Sequence, residues 1–122
     1  MKSFVITLLL LATMLLGIVF NSLYINNVVT RMLEMLDALP DPDHPECAEQ
    51  ARALLEFWDA HLCPVELSVN YLIADRVTEQ ACLLVAAAEA GDVYGYAAAR
   101  TLLQDAVSDL GRLEKLSMGS IL

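Results

Sequence analysis

Hydrophobic residues follow two different patterns along this chain. Residues 4–20 read FVITLLLLATMLLGIVF and carry no charge. After them, hydrophobic side chains recur every three or four positions among charged ones, which is the spacing of helices with one buried face. No stretch alternates residue by residue as a half-buried strand does. The pattern predicts an all-α protein in which an N-terminal transmembrane helix continues into an antiparallel three- to four-helix bundle.

The uncharged stretch has nearly the length of a membrane helix. A bilayer core requires about 20 apolar residues, and residues 23–25 extend the run. We therefore expect residues 1–25 to form a transmembrane signal-anchor. A cleaved secretory signal is the alternative, but bulky residues follow the run where cleavage requires small ones. A buried core helix is disfavoured because the rest of the chain is too small to surround it. The residues expected to face lipid are Phe4, Leu8, Leu9, Leu10, Leu11, Leu15, Leu16, Ile18, Val19 and Phe20.

Residues 26–122 are expected to form one small acidic domain. The first helix continues from the membrane segment, and the proline-rich residues 40–45 end it. Cys63-Pro64 marks a second break, and Gly91 followed by a capping Asp92 marks a third. The tail from Glu114 has no clear period, and it either folds back onto the bundle or leaves an apolar patch for a partner. The predicted helices are at about residues 26–39, 45–61, 65–90 and 93–110.

Charge narrows the range of partners. The chain has a formal net charge of -9, and all 16 acidic residues lie beyond Arg31. We expect no nucleic-acid partner, because phosphate binding requires a basic surface. An anionic lipid surface should also repel the domain. We expect the lipid bilayer and a protein of the membrane or envelope as partners. Homo-oligomerisation through the membrane helix stays open, although the segment has no G-x-x-x-G motif.

Three cysteines, Cys47, Cys63 and Cys82, do not make a complete disulfide framework because their number is odd. In a hairpin that turns at Cys63-Pro64, Cys47 and Cys82 would lie at one level, with His44 nearby. These three residues are the candidate ligands of a metal site. A Cys47–Cys82 disulfide is the alternative outside the cytoplasm. Buried free thiols that behave as small apolar residues are the favoured interpretation.

No residue pattern indicates catalysis or a cofactor. His61 and Cys63 are two positions apart on a helix and do not face each other. No serine lies in a nucleophile-elbow context. The two glycines of residues 91–95 lack the preceding strand and the lysine of a phosphate loop, so they indicate a turn between helices. Trp58 lies on an apolar stripe, which is typical of a core residue. We therefore expect a protein that is not an enzyme and has no cofactor.

Several sequence features occur in order along the chain: Met1-Lys2-Ser3 before the apolar helix, Trp58, Ala90-Gly91-Asp92, Glu114-Lys115-Leu116-Ser117 and the final Ile121-Leu122. In these features the chain resembles, over nearly its full length, an uncharacterised family of short bacterial membrane-anchored helical proteins, domain of unknown function 4363. The resemblance implies a membrane anchor and a helical domain, and it implies no activity. Members often have a histidine in the third helix, where this chain has Asn70 or Ala74, so no histidine role is carried over.

These observations lead to one expectation of function and one alternative. We expect a single-pass protein of the cell membrane whose acidic domain is a non-enzymatic protein-interaction module. Lys2 and the N-terminal amine favour a cytoplasmic N-terminus, weakly opposed by Arg31, so the domain would be extracytoplasmic. The alternative is an extracytoplasmic ligand- or metal-sensing domain that uses His44, Cys47 and Cys82.

Overall fold

The computed structural model describes residues 1–68 and 71–121, and the side chains of all of these except 63–68, 117, 118, 120 and 121. Within these residues there is no β-strand. Each helix packs against the next one in sequence, and the last packs against the first, with the most extensive contact between the third and the fourth. The prediction of an all-α bundle with a long apolar N-terminal helix is therefore confirmed. The described helices are α1 (Lys2–Asp37), α2 (Cys47–Ser68), α3 (Tyr71–Ala90) and α4 (Val93–Ile121).

Helix α1 is one uninterrupted helix of 36 residues, about 54 Å long. Its first half projects from the bundle, and one stripe of its second half is buried. Arg100 on α4 donates a 2.9 Å hydrogen bond to the carbonyl of Leu36, near the C-terminus of α1. A cation is favoured there by the helix dipole. The buried stripe consists of Ile25, Val28, Val29, Met32 and Leu36.

The predicted break at Cys63-Pro64 is wrong. Helix α2 continues through Pro64 to Ser68. A proline ring holds φ near the helical value, so a helix can include it at the cost of one backbone hydrogen bond and some bending. Helix α2 also begins at Cys47, two residues later than predicted, after turns in which Cys47 N–H bonds to the carbonyl of His44. The connection to α3 falls on residues 69 and 70, outside the described residues.

The joint between α3 and α4 has the predicted cap. Gly91 has a positive φ of 69°, which glycine adopts without strain. Its N–H bonds to the carbonyl of Ala88, and the N–H of Asp92 bonds to that of Ala87, which is the Schellman pattern. Asp92 Oδ1 accepts the N–H of Gly95 at 3.0 Å and so caps α4. A Cβ at position 95 would collide with that capping carboxylate.

Helix α4 corrects the predicted end at residue 110, because it continues to Ile121. Gly111 does not stop it. A Cβ added at Gly111 would lie 3.1 Å from Cγ1 of Val29, so this glycine allows α4 to approach α1 closely. Glu114 is buried at 9% exposure and Leu116 is 69% exposed. The side chains of Met118, Ile121 and Leu122, on which the choice between a folded-back tail and an exposed apolar patch rests, lie outside the described part.

Candidate functional site

The N-terminal half of α1 is an apolar surface that the bundle leaves uncovered. An 18-residue window of this helix has a mean hydropathy of 2.6, and none of it is buried. Among the described residues, α1 is the helix whose length and composition suffice to cross a membrane. Of the ten residues expected to face lipid, nine are exposed, from 39% at Val19 to 71% at Phe4. Ile18 is half-buried.

A second apolar surface is a groove between α3 and α4. It encloses about 420 Å³. Leu83 of α3 and Leu102 of α4 form its rims, and each is about half exposed, at 50% and 49%. Its remaining lining is small or polar, which leaves room for a side chain of another molecule. Those lining residues are Gln80, Ala86, Ala87, Ala90, Asp92, Gly95, Ala98 and Ala99.

The groove continues into a polar end that encloses about 400 Å³ and shares Gln80 and Leu102 with the apolar part. There Arg76 of α3 donates a 2.6 Å hydrogen bond to Oδ2 of Asp109, and Arg112 binds the other oxygen of that carboxylate. These contacts, chiefly the hydrogen bond from Arg76, lower the pKa of Asp109. The polar end is therefore a surface ion-pair network that joins α3 to α4.

Gln80 lies at the junction of the two parts of the groove. Its side-chain Oε1 is buried and has no hydrogen-bond partner among the described atoms. A buried acceptor without a donor is destabilising. A small movement of this flexible side chain, or a donor brought by a molecule in the groove, would remove that cost.

The three candidate metal ligands are not brought together. Cys47 is buried and Cys82 is exposed, and both thiols are free. Exposed His44 uses Nδ1 to accept the N–H of Glu46 at 3.1 Å. The turn between α2 and α3 lies beyond Ser68, not at Pro64, which separates the levels of Cys47 and Cys82 by roughly 15 Å along the bundle. In the described part of the chain no three His, Cys, Asp or Glu side chains form a group that could hold a metal ion.

The expectation of buried free thiols is confirmed for Cys47 and wrong for Cys82. Cys63 has its side chain outside the described part. Cys47 packs near Tyr96, whose hydroxyl donates a 3.0 Å hydrogen bond to the carbonyl of Pro40. Burial, followed by the interaction with Cys47, raises the pKa of Tyr96. Cys47 therefore belongs to the packing around the end of α1.

The groove was not identified from the sequence. Alanines at 86, 90 and 98 suit either a close helix contact or an open floor, and only the crossing of α3 and α4 decides which. The sequence feature that could have indicated the groove is the pair Leu83 and Leu102, since each is a large apolar residue outside the buried stripe of its helix.

Three comparisons with known proteins gave no match. No protein-family model matches the chain, no curated protein matches its sequence, and no solved structure matches its fold.

Proposed function

We propose that this chain is a single-pass membrane protein whose acidic four-helix bundle is a non-enzymatic protein-interaction module at the membrane surface. The observation that carries the proposal is the uncovered N-terminal half of α1, in which no residue of an 18-residue apolar window is buried. Such a surface is costly in water and stable in hydrocarbon. Helical geometry is the form in which a single segment crosses a bilayer, because it satisfies its own backbone hydrogen bonds.

The proposed interaction surface is the groove between α3 and α4. Its apolar rims, Leu83 and Leu102, and its alanine floor suit an apolar helical segment of a partner, since small residues allow two helices to approach closely. The ion pairs of Arg76 and Arg112 with Asp109 border the polar end and would restrict which segments fit. We propose a protein of the membrane or envelope as the source of that segment.

We also propose an orientation for the chain in the membrane and a family to which it belongs. The N-terminus is cytoplasmic and the bundle extracytoplasmic, on the strength of Lys2 and the N-terminal amine. Membership of the family named above stays part of the proposal, and it adds no catalytic residue.

Thiol labelling tests the orientation, and the exposure of Cys82 makes it the reporter. A membrane-impermeant maleimide is applied to intact cells that produce a Cys63→Ser chain, with Cys63→Ser/Cys82→Ser as the matched control. We expect labelling of the first chain only, because Cys47 is buried. Labelling that requires permeabilised cells would place the bundle in the cytoplasm.

Site-specific crosslinking tests the groove. A photo-reactive amino acid replaces Leu102 in the groove or Gln104, an exposed residue of the same helix that does not line the groove. We expect a discrete protein adduct from position 102 in native membranes, much weaker from position 104. Ala98→Leu, which fills the groove, should abolish the adduct from position 102. Equal adducts from both positions would contradict a role for the groove.

A further inference from the structure

The bundle extends alongside the last part of the apolar segment of α1. Helices α1 and α4 are antiparallel, and Gly111 faces Val29. One turn further, Leu23 and Lys115 line one shared crevice of about 240 Å³. Helix α4 then continues from Lys115 to Ile121, which is about 9 Å further in the direction of the membrane segment.

Helix α2 reaches the same level. The ring of Tyr24 on α1 lies 5.9 Å from the ring of His61 on α2. Beyond His61, α2 continues to Ser68, about 10 Å further toward the N-terminus of α1. The ends of α2 and α4 therefore lie beside residues that precede Leu23 on α1.

A bilayer core is about 30 Å thick and takes about 20 helical residues. Counted from Phe4, that length ends near Leu23. The ends of α2 and α4 extend past this level, so a bilayer crossed by α1 must meet the lower end of the bundle.

The side chains at that end suit lipid. Four large apolar residues are exposed there: Tyr71 at 61%, Leu72 at 72%, Leu113 at 39% and Leu116 at 69%. We call these four residues the base of the bundle. Tyrosine is enriched at the level of lipid headgroups, where its ring is apolar and its hydroxyl is hydrated.

The charges are also unevenly distributed. Near the base, Arg76, Arg112 and Lys115 lie with Asp75, Asp109 and Glu114, and Asp109 is paired with both Arg76 and Arg112. Six exposed acidic residues lie at the opposite end: Asp41, Asp43, Glu46, Glu49, Glu89 and Asp92. The charges near the base are therefore closer to balance than those at the opposite end, so the repulsion expected from the net charge of -9 is smaller where the bundle would meet lipid.

We propose that the base of the bundle docks on the lipid bilayer, with Tyr71, Leu72, Leu113 and Leu116 in the headgroup region. This inference rests on the proposed membrane anchor. The bundle is then held against the membrane by two contacts, α1 and the base, and its acidic end points away. The groove between α3 and α4 consequently has a fixed orientation relative to the bilayer.

Nitroxide labels measure the position of each residue relative to lipid. Leu72→Cys and Leu116→Cys report on the base, Leu9→Cys on the anchor, and Tyr94→Cys on the opposite end. All are made in the full chain with its three native cysteines replaced by alanine, and reconstituted in phosphatidylcholine vesicles. Electron paramagnetic resonance then measures how accessible each label is to two relaxing agents. Oxygen concentrates in lipid, and a water-soluble nickel chelate stays in water. Circular dichroism verifies that each variant is helical.

We expect the ratio of oxygen to nickel accessibility at positions 9, 72 and 116 to be several-fold higher than at position 94. A high ratio at 9 with ratios at 72 and 116 equal to that at 94 would overturn docking of the base and leave the anchor standing. A low ratio at position 9 would overturn the anchor itself, and docking of the base with it.

The unaltered chain provides a second test that no substitution can compromise. A photo-activatable phosphatidylcholine in the vesicles is crosslinked to the protein, and the modified peptides are mapped. We expect lipid adducts in the peptides that contain Tyr71, Leu72 and Leu116 as well as in α1. Adducts confined to α1 would overturn the proposal.

Discussion

The indole Nε1 of Trp58 donates a 2.7 Å hydrogen bond to Oγ1 of Thr78 and so joins α2 to α3 inside the bundle. Thr78 Oγ1 in turn donates to the carbonyl of Ala74 at 3.1 Å. The Trp58 side chain is fully buried. The tryptophan is therefore a core residue, as the sequence predicts, and its polar atom has a partner on the neighbouring helix.

Thr78→Val tests this pair. The variant keeps the shape of the side chain but leaves the indole N–H buried without an acceptor, which should cost about 1–3 kcal/mol of unfolding free energy. Thr101→Val is the matched control, since Thr101 is exposed and its hydroxyl donates to the carbonyl of Ala97 on the same helix. Denaturant unfolding in mild detergent, followed by circular dichroism, measures both. Equal stability of the two variants would contradict the assignment.

Tyr96→Phe tests how the end of α1 is held. Loss of the hydroxyl that donates to Pro40 should lower stability by about 1 kcal/mol. Exposed Tyr94→Phe should leave it unchanged. The measurement is the midpoint of thermal unfolding at neutral pH.

The pH dependence of the same residue follows from its raised pKa. An unfolded tyrosine ionises at about pH 10, while burial keeps Tyr96 neutral in the folded protein. The stabilisation is complete below pH 10 and is lost as pH rises from there toward the folded pKa. We expect the stability of Tyr96→Phe to fall less steeply above about pH 10 than that of the unaltered chain. If the stabilities of the two proteins fell in parallel as the pH rose, ionisation of Tyr96 would not be the cause of the loss of stability at alkaline pH.

Asp109→Asn tests the ion-pair network at the polar end of the groove. The contacts with Arg76 and Arg112 lower the pKa of Asp109, so its stabilisation is present above the unfolded value of about 3.9 and is lost as pH falls through the folded value. The side chains are partly exposed, so the expected loss at neutral pH is about 1 kcal/mol or less. The loss should shrink as the pH falls below the unfolded value of about 3.9, and in high salt.

The control is Asp105→Asn, because Asp105 lines the same end of the groove and has no ion pair in the described structure. Its effect on stability should be smaller at neutral pH. An effect of Asp109→Asn that does not change with pH would contradict the electrostatic account.

Gly111→Ala tests the close approach of α4 to α1. In an exposed helix interior, alanine is more stable than glycine by about 1 kcal/mol. Here the added Cβ meets Cγ1 of Val29 at 3.1 Å, so we expect Gly111→Ala to be less stable than this intrinsic preference alone predicts. The double variant Val29→Ala/Gly111→Ala should be more stable than the sum of the two single effects in a double-mutant cycle. Additive effects would show that the two helices are not in close contact at this point.

Local rules predicted the parts of the fold that local chemistry determines. The continuity of α1 follows from the absence of Gly and Pro between Asn21 and Leu39, and the cap at Gly91-Asp92 follows from the backbone freedom of glycine and the acceptor on aspartate. The same rules failed at Pro64 and Gly111. A proline or glycine weakens a helix by a few kcal/mol at most, and contact with neighbouring helices decides whether the helix continues.

The candidate site could be predicted only in part. The long apolar helix α1 could be predicted, because its length and composition are properties of the sequence alone. The groove depends on how α3 and α4 cross, and the base of the bundle depends on the register of α2 and α4 against α1. The prediction of a shared metal site was wrong for a related reason. The turn between α2 and α3 lies beyond Ser68, which separates Cys47 from Cys82.

The central claim is that α1 anchors the chain in a bilayer, and alkaline carbonate extraction of membranes tests it most directly. We expect the full chain to stay in the membrane pellet. Leu10→Lys/Met14→Lys, which places two charges at the centre of the segment at a cost of about 2.5–3.5 kcal/mol each, should release it. Leu83→Lys/Leu102→Lys, which charges two exposed leucines of the bundle, should not. Release of the unaltered chain, or its recovery without residues 1–25, would contradict the claim.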